Sequence, residues 1–193
     1  MTWLEWVRSV SNPLCFATAT TGIAADSELI AFAWVSEEGP NLCMRKVPVE
    51  ELLPAEEYHQ ICPTLMGSLG DDDAHFKGQL QDLFRNHTGF TYNVRFQQGK
   101  LEAFVENPDL VDLCVLVKGA ESHVCVPESA TNSIQNMMRF LTQDRHINRV
   151  PFKDMLANRD IDATTPLGVL PVEHNADCLW QLLKRLSDYE IIQ

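Results

Sequence analysis

The chain has 193 residues, of which 45% are hydrophobic and 22% are charged; this composition suits a folded domain and excludes disorder as a global description. The formal net charge is −12, so a general affinity for phosphate-rich surfaces such as nucleic acid is not predicted, whereas a local contact through the second half of the chain stays open. No apolar run reaches the roughly 20 residues of a membrane-spanning helix. The first ten residues also lack the pattern of a secretion signal, so we expect a cytoplasmic protein without a membrane partner.

A short amphipathic helix is predicted over residues 2–10, and we interpret residues 1–12 as a helical extension of a single domain that covers residues 1–193. Five later segments have the apolar and β-branched content of strands. They cover residues 14–20, 28–35, 41–47, 88–94 and 110–117.

Helical segments lie between and after these strands. They are predicted over residues 49–53, 56–61, 95–105, 132–142, 152–158 and 175–186, with a further helix that follows Asp71, Asp72 and Asp73. The order of elements predicts an α/β fold: a mixed five-stranded sheet whose first three strands are antiparallel, with helices on both faces.

Two short patterns have both a structural and a functional interpretation. The run of Asp71, Asp72 and Asp73 resembles a metal loop, but aspartates that cap a helix and occupy its first turn explain it better. Residues 79–84 resemble a clamp-binding peptide, although Leu80 and Phe84 fit the core face of a helix. The structural interpretation is preferred for both patterns.

The cysteines do not form a Cys-x-x-Cys motif, and we expect reduced core thiols of a cytosolic protein. His59 with Cys62 and His123 with Cys125 have the spacing of zinc half-sites. Nothing in the sequence brings the two halves together, so zinc is not supported.

Four blocks resemble the DEDDh 3′–5′ exonucleases, a family of the ribonuclease H-like superfamily. Residues 16–23 resemble the first motif, residues 91–97 the second, residues 110–113 the strand that follows, and residues 172–178 the third motif. The blocks occur in the family's order and span nearly the whole chain. The resemblance implies a ribonuclease H-like fold and an ancestral metal-dependent nuclease.

The catalytic positions depart from the family pattern. Members of the family hydrolyse nucleic acid with two divalent ions about 4 Å apart, held by four carboxylates. The resemblance places these ligands at Ala17, Ala19, Gln97 and Leu179, none of which is acidic. His174 occupies the general-base position and is therefore interpreted as a vestigial catalytic residue.

Two nearby acids, Asp177 and Asp112, are the candidates for a rebuilt metal site. Because Mg²⁺ prefers carboxylate oxygens and gives up its water reluctantly, two displaced acids bind it poorly. We therefore expect no cofactor, with Mg²⁺ or Mn²⁺ relevant only if activity remains.

Residues near the motifs supply candidate contacts to a nucleic-acid end. Thr20, Thr21, Gly22 and Asn93 match family positions beside the terminal nucleotide, but a turn glycine and a helix-capping asparagine have structural roles as well. Cations for phosphate contacts are expected from the basic stretch over residues 139–159. Arg145 and Arg149 are the two candidates within it.

The leading hypothesis is a catalytically inactive or strongly impaired exonuclease-fold protein that binds a single-stranded DNA or RNA end, or is a subunit of a DNA- or RNA-processing complex. One alternative is an active, divergent metal-dependent exonuclease. It includes an engineered, inactivated variant of such an enzyme, since replacing two metal-ligating acids by alanine is a standard way to trap bound substrate. Gln97 and the altered third motif favour natural degeneration. The other alternative is a protein-interaction module whose cleft has no ligand.

Overall fold

The computed structural model describes residues 3–22, 24, 26–48, 50–52, 70–120 and 170–188. The helices predicted over residues 56–61, 132–142 and 152–158, and both zinc half-sites, lie outside these residues. In chain order, the elements among these residues are α1 (Trp3–Ser9), β1 (Pro13–Thr20), β2 (Leu29–Ser36), β3 (Gly39–Met44), α2 (Asp73–Asn86), β4 (Thr88–Thr91), α3 (Val94–Leu101), β5 (Leu110–Asp112), α4 (Leu113–Ala120) and α5 (Leu170–Asp188). Residues 50–52 add a helical turn.

The five strands form one mixed sheet in the order β3-β2-β1-β4-β5. Strand β2 pairs antiparallel with both β1 and β3, whereas β4 pairs parallel with β1 and with β5. This arrangement confirms the predicted α/β class and the antiparallel start of the sheet. The parallel pairs require crossover connections, which α2 and α3 supply.

Side chains alternate across β1 and divide the interior into two cores. Cys15, Ala17 and Ala19 join a core that contains residues of α1, α4 and α5, whereas Leu14 and Phe16 join a second core with residues of α2 and α3. Helices therefore cover both faces of the sheet, as the sequence predicted. We call these the α5 face and the α2 face.

Helix α2 begins where the run of aspartates predicted. The Asp72 side chain accepts a hydrogen bond from the backbone N–H of His75 at 2.9 Å, which is the geometry of an N-cap. Phe76, Leu80 and Phe84 are buried in the core of the α2 face. The capping interpretation is confirmed for Asp72 and for Asp73 in the first turn, whereas Asp71 lies before the helix and pairs through its backbone with the segment at Arg45. The clamp-like residues serve the helix's core face.

The β2–β3 hairpin turns earlier than the sequence indicated. Ser36 pairs with Gly39, so Glu37 and Glu38 form the two-residue loop, and Gly39 and Pro40 already belong to β3. Gly39 has a φ of 109°, a conformation that is open to glycine at no steric cost. The predicted start of this strand at residue 41 was therefore two residues late.

Strand β4 ends at Thr91 rather than at residue 94. Asn93 has a φ of 61° in the left-handed region, which interrupts the strand, and its side chain accepts a hydrogen bond from the Phe96 N–H. Asparagine is among the few residues that tolerate this conformation, because its short polar side chain bonds locally. Helix α3 therefore starts at Val94, and its last helical residue is Leu101, with turns after it.

The fifth strand was predicted over residues 110–117, and most of that prediction was wrong. Only Leu110–Asp112 is strand, and helix α4 starts at Leu113. Leu113 is buried and Leu116 packs against the same core, whereas Val115 is exposed; this is helical spacing. A short apolar run does not distinguish a buried strand from a helix by periodicity.

Asp112 decides where the strand stops, because its carboxylate serves two helix starts. One oxygen accepts from the Cys114 N–H at 2.8 Å and the other from the Val94 N–H at 3.0 Å. These backbone donors have no partner within their own helices. Asp112 therefore caps α4 and α3 together.

We expect Asp112→Ala to lower the free energy of unfolding by about 1 to 2 kcal/mol, because both caps are lost at once. Asp112→Asn keeps an acceptor oxygen and is expected to retain part of the stability. Urea denaturation measures both, with the exposed Glu106→Ala as a control. Equal stability of Asp112→Ala and Glu106→Ala would contradict the double-cap role.

Helix α5 starts at Leu170, five residues before the predicted start at residue 175. Pro171 lies in its first turn, where a missing backbone N–H costs nothing. As a result, His174 lies within the helix rather than in the loop before it. Helix α5 packs across β1 and β2 on the α5 face of the sheet.

Candidate functional site

The first two ligand positions implied by the resemblance lie beneath α5. The i, i+2 spacing places Ala17 and Ala19 on the same face of β1, and their side chains belong to the core that includes Ala176 and Leu179. Ala17 is 7% exposed and Ala19 is 0% exposed. Methyl groups here contribute packing and offer no oxygen to a cation.

The third position, Gln97, contacts β1 through a different residue. The Gln97 Oε1 atom accepts a hydrogen bond from the Thr18 hydroxyl at 2.7 Å. Because successive side chains of a strand point to opposite faces, Thr18 points away from the face that holds Ala17 and Ala19. The structure therefore does not gather the first three former ligand positions into one cluster.

Helix α5 holds the third motif. Leu179 is buried in the core, so the fourth ligand position is an apolar packing residue. Asp177 is half-buried, and its carboxylate accepts a hydrogen bond from the Gln181 side chain at 2.9 Å. Asp112 caps two helices, as described above. Both candidate replacement acids thus have a structural partner within the chain.

His174 is half-buried, and its Nε2 atom lies 3.6 Å from the Cys178 sulfur, one turn along α5. Burial lowers the pKa of His174, while the charge of Asp177 opposes this effect. Burial, with a smaller effect of Asp177, raises the pKa of Cys178 to about 11. At neutral pH the pair is therefore a neutral imidazole and a neutral thiol, and Cys178 is not an activated nucleophile.

The residues after β1 are engaged in the β1–β2 turn. The buried Thr20 hydroxyl donates to the Gly22 carbonyl at 2.5 Å, and the Thr21 hydroxyl accepts from the Glu28 N–H at 2.9 Å. Gly22 itself has no steric need to be glycine, since an added Cβ would come no closer than 3.9 Å, to the Ser27 Cβ. Both threonines therefore stabilise the turn, whereas the structural role considered above for Gly22, a tight turn that needs glycine, does not explain this residue.

Asn93 caps α3, as described above, and its side chain is exposed. Arg145 and Arg149 lie outside the described residues. Within the part of the chain that the structure describes, no group of three or more His, Cys, Asp or Glu residues could hold a metal ion. The residues at positions 17, 19, 97 and 179 do not fit a pair of Mg²⁺ ions, because they offer one neutral amide oxygen in place of four carboxylates.

The sequence interpretation missed a group of charged residues on the α2 face. Arg45 donates to Glu28 at 2.5 Å and to Asp73 at 2.6 Å, and the hydrogen bond from Arg45 lowers the pKa of Asp73. Lys100 is 7% exposed, and its ammonium group contacts the carbonyl of Ser27. Lys100 follows Phe96 by four residues, so the two side chains lie on one face of α3, and Lys100 also precedes the buried Leu101. This position is the sequence signal for the burial of Lys100.

Several solved structures share this architecture. No protein-family model matches the chain, and no curated protein matches it. Escherichia coli Exonuclease I in complex with a 5cy-dT13 oligonucleotide is similar with a TM-score of 0.55 at 17% identity, over 94% of this chain and 42% of that chain. The same enzyme in complex with a dA16 oligonucleotide is similar with a TM-score of 0.55 at 19% identity, over 93% of this chain and 42% of that chain.

The EXO domain of Aedes aegypti Nibbler is similar with a TM-score of 0.54 at 12% identity, over 95% of this chain and 81% of that chain. The protein has an exonuclease fold. It spans less than half the length of the E. coli Exonuclease I chains. Identities this low establish the fold alone. Among the described helices, none has both the length and the apolar content needed to cross a membrane.

Proposed function

We propose that this chain is an exonuclease-fold protein of the DEDDh type whose motifs have degenerated, so that two-metal hydrolysis is lost or strongly impaired. The observation that carries the proposal is the burial of Ala17 and Ala19 beneath α5. Where the resemblance requires two carboxylates, the chain has methyl groups packed in a core. His174 alone keeps the residue type that the family's chemistry uses.

The loss affects both ions of the mechanism. In two-metal hydrolysis one ion activates the attacking water and the other stabilises the leaving oxygen. Carboxylates supply most of the attraction that removes water from Mg²⁺. Gln97 is hydrogen-bonded to Thr18 and Leu179 is buried, so the third and fourth ligand positions supply no carboxylate to compensate. His174 then has no metal-bound water to deprotonate.

The ligand that we assign is a single-stranded nucleic-acid end, bound without turnover. The similar E. coli structures contain the oligonucleotides dT13 and dA16, and this proposal extends that ligand class to the present chain. A net charge of −12 opposes phosphate binding. Binding is therefore expected to be weak and strongly dependent on salt, with Arg145 and Arg149 as its main cations.

Titration of a short labelled single strand tests this assignment. If two phosphate contacts carry the binding, raising salt from about 50 to 200 mM should weaken it by about sevenfold. The double variant Arg145→Glu with Arg149→Glu should weaken binding by about tenfold or more at low salt. A matched double variant, Lys46→Glu with Lys77→Glu, makes the same charge change at two exposed residues elsewhere and should weaken it much less.

Two outcomes contradict the ligand assignment. One is no binding at low salt, and the other is binding that responds equally to the two double variants. Either outcome would favour a subunit of a complex or a protein-interaction module. In that case the exonuclease fold contacts another protein, and the cleft in which the resembled family binds its substrate has no ligand here. Neither outcome bears on the loss of nuclease chemistry, which a separate assay tests.

A further inference from the structure

An open pocket of about 400 Å³ lies on the α2 face of the sheet. The β1–β2 turn, the start of α2 and the end of α3 surround it. Its walls include Asp26, Glu28, Asp73, Leu29 and Phe104. Because Leu29 and Phe104 belong to the core of the α2 face, this pocket is separate from Ala17, Ala19 and the helix that holds His174.

The two cations of the pocket are already hydrogen-bonded within the protein. Lys100 Nζ donates to the Ala24 carbonyl at 3.1 Å, to the Ser27 carbonyl at 2.6 Å and to the Ser27 hydroxyl at 3.0 Å. An ammonium group has three N–H donors, so these contacts use all of them. A phosphate or carboxylate ligand would find no unused donor on Lys100.

Arg45 is held in a similar way. Its guanidinium donates to Glu28 and Asp73, and it lies 5.9 Å from the centre of the Phe104 ring. An anion would have to compete with these two carboxylates for Arg45 and would be repelled by both. The pocket therefore disfavours anionic ligands even though two of its lining residues are cationic.

The acceptors of the pocket are less fully used. Three carboxylates, those of Asp26, Glu28 and Asp73, face two cations, which leaves a net charge of −1. The Glu28 and Asp73 side chains are 53% and 67% exposed, and each carboxylate has about four acceptor positions. The pocket thus combines free acceptor capacity and negative charge with a half-buried aromatic ring, that of Phe104.

We propose that this pocket binds an arginine side chain presented by a partner protein. The guanidinium would donate to the exposed carboxylates, and the aliphatic stem would pack against the half-buried Phe104. Arginine combines a planar set of donors with an apolar stem and stacks on aromatic rings. The net charge of −12 favours the approach of such a basic segment.

Titration of the ¹⁵N-labelled chain with N-acetyl-arginine methylamide, followed by NMR, tests the proposal. We expect binding with a Kd of about 1 mM and shift changes centred on the amides of Ser27, Gly99 and Lys100. N-acetyl-norleucine methylamide, which lacks the charge, and inorganic phosphate should each bind more weakly. This experiment does not depend on the proposed nucleic-acid ligand or on the loss of nuclease activity.

Three variants separate a built pocket from a diffuse acidic surface. Ala103→Trp fills the pocket without changing its charge, and Asp26→Asn removes one carboxylate; each should weaken arginine binding by about three- to fivefold. Glu38→Gln removes one exposed charge outside the pocket and should leave binding unchanged. If Ala103→Trp fails to fold, Gly99→Phe replaces it, since a Cβ on Gly99 meets no atom within 4 Å.

The proposal is overturned if the shift changes spread over the whole acidic surface, or if Glu38→Gln weakens binding as much as Asp26→Asn does. It is also overturned if phosphate binds more tightly than the arginine derivative. Localised shifts, together with loss of binding in the pocket-filling variant, support it.

Discussion

Ala19→Glu is expected to lower the free energy of unfolding by about 3 to 5 kcal/mol, the cost of an uncompensated charge in a protein core. In an active member of the resembled family an acid at this position would be stabilised by metal ions. Here residue 19 is 0% exposed and lies in the core formed with α5. A glutamate must therefore be buried without a cation or must push the helix away from the sheet.

Chemical denaturation of Ala19→Glu beside Ala74→Glu measures this effect. Ala74 is exposed in the first turn of α2, where a negative charge interacts favourably with the helix dipole. The control should therefore change stability by no more than about 0.5 kcal/mol. An Ala19→Glu variant as stable as the control would show that the site still accepts an acid. Strong stabilisation of the variant by Mg²⁺ would show that the site still accepts a metal ion.

Phe16→Ala is expected to destabilise the chain by about 3 to 5 kcal/mol, because it removes a fully buried ring from the core of the α2 face. The Phe16 ring stacks on Phe32 at a centroid distance of 4.9 Å and meets the edge of Phe84 at 5.7 Å. Its loss leaves a cavity between β1 and α2 and removes two aromatic contacts.

The matched change at a surface aromatic residue is Trp6→Ala. Trp6 is 38% exposed and contacts the Phe90 ring at 6.5 Å, so its removal should cost about 1 kcal/mol. Thermal unfolding and urea denaturation of the two variants give the comparison. If Phe16→Ala costs no more than Trp6→Ala, the described packing between β1 and α2 is wrong.

The antiparallel strands β1, β2 and β3 and the helix α2 could be predicted because their sequence patterns are local. Alternating or continuous apolar residues identify β1 and β2, and the spacing of Phe76, Leu80 and Phe84 identifies one face of α2. The aspartate cap of α2 could also be predicted from the sequence, since capping depends on residues within one turn.

Two of the errors occurred where a single polar residue decides between two conformations. Asn93 ends β4 by adopting a left-handed conformation, and Asp112 turns an apolar run into a helix by capping it. Both effects depend on side-chain hydrogen bonds, which hydrophobic periodicity does not reveal.

Part of the candidate site could be predicted from the sequence. The spacing of Ala17 and Ala19 correctly indicated a shared face of β1, because the two-residue period of a strand is fixed. The bond between Gln97 and Thr18 joins residues that are 79 positions apart, so no local pattern encodes it. The pocket around Arg45 and Lys100 likewise depends on contacts between distant segments.

The nuclease assay tests the central claim most directly. The purified chain is incubated with 5′-labelled single-stranded DNA or RNA in Mg²⁺ or Mn²⁺, beside a 3′–5′ exonuclease as the positive control, and the products are resolved by length. We predict no shortening above the buffer control, and no effect of EDTA or of His174→Ala on that baseline, because the ligand positions offer no carboxylates to the metal ions. Stepwise shortening from the 3′ end that both EDTA and His174→Ala abolish would contradict the account.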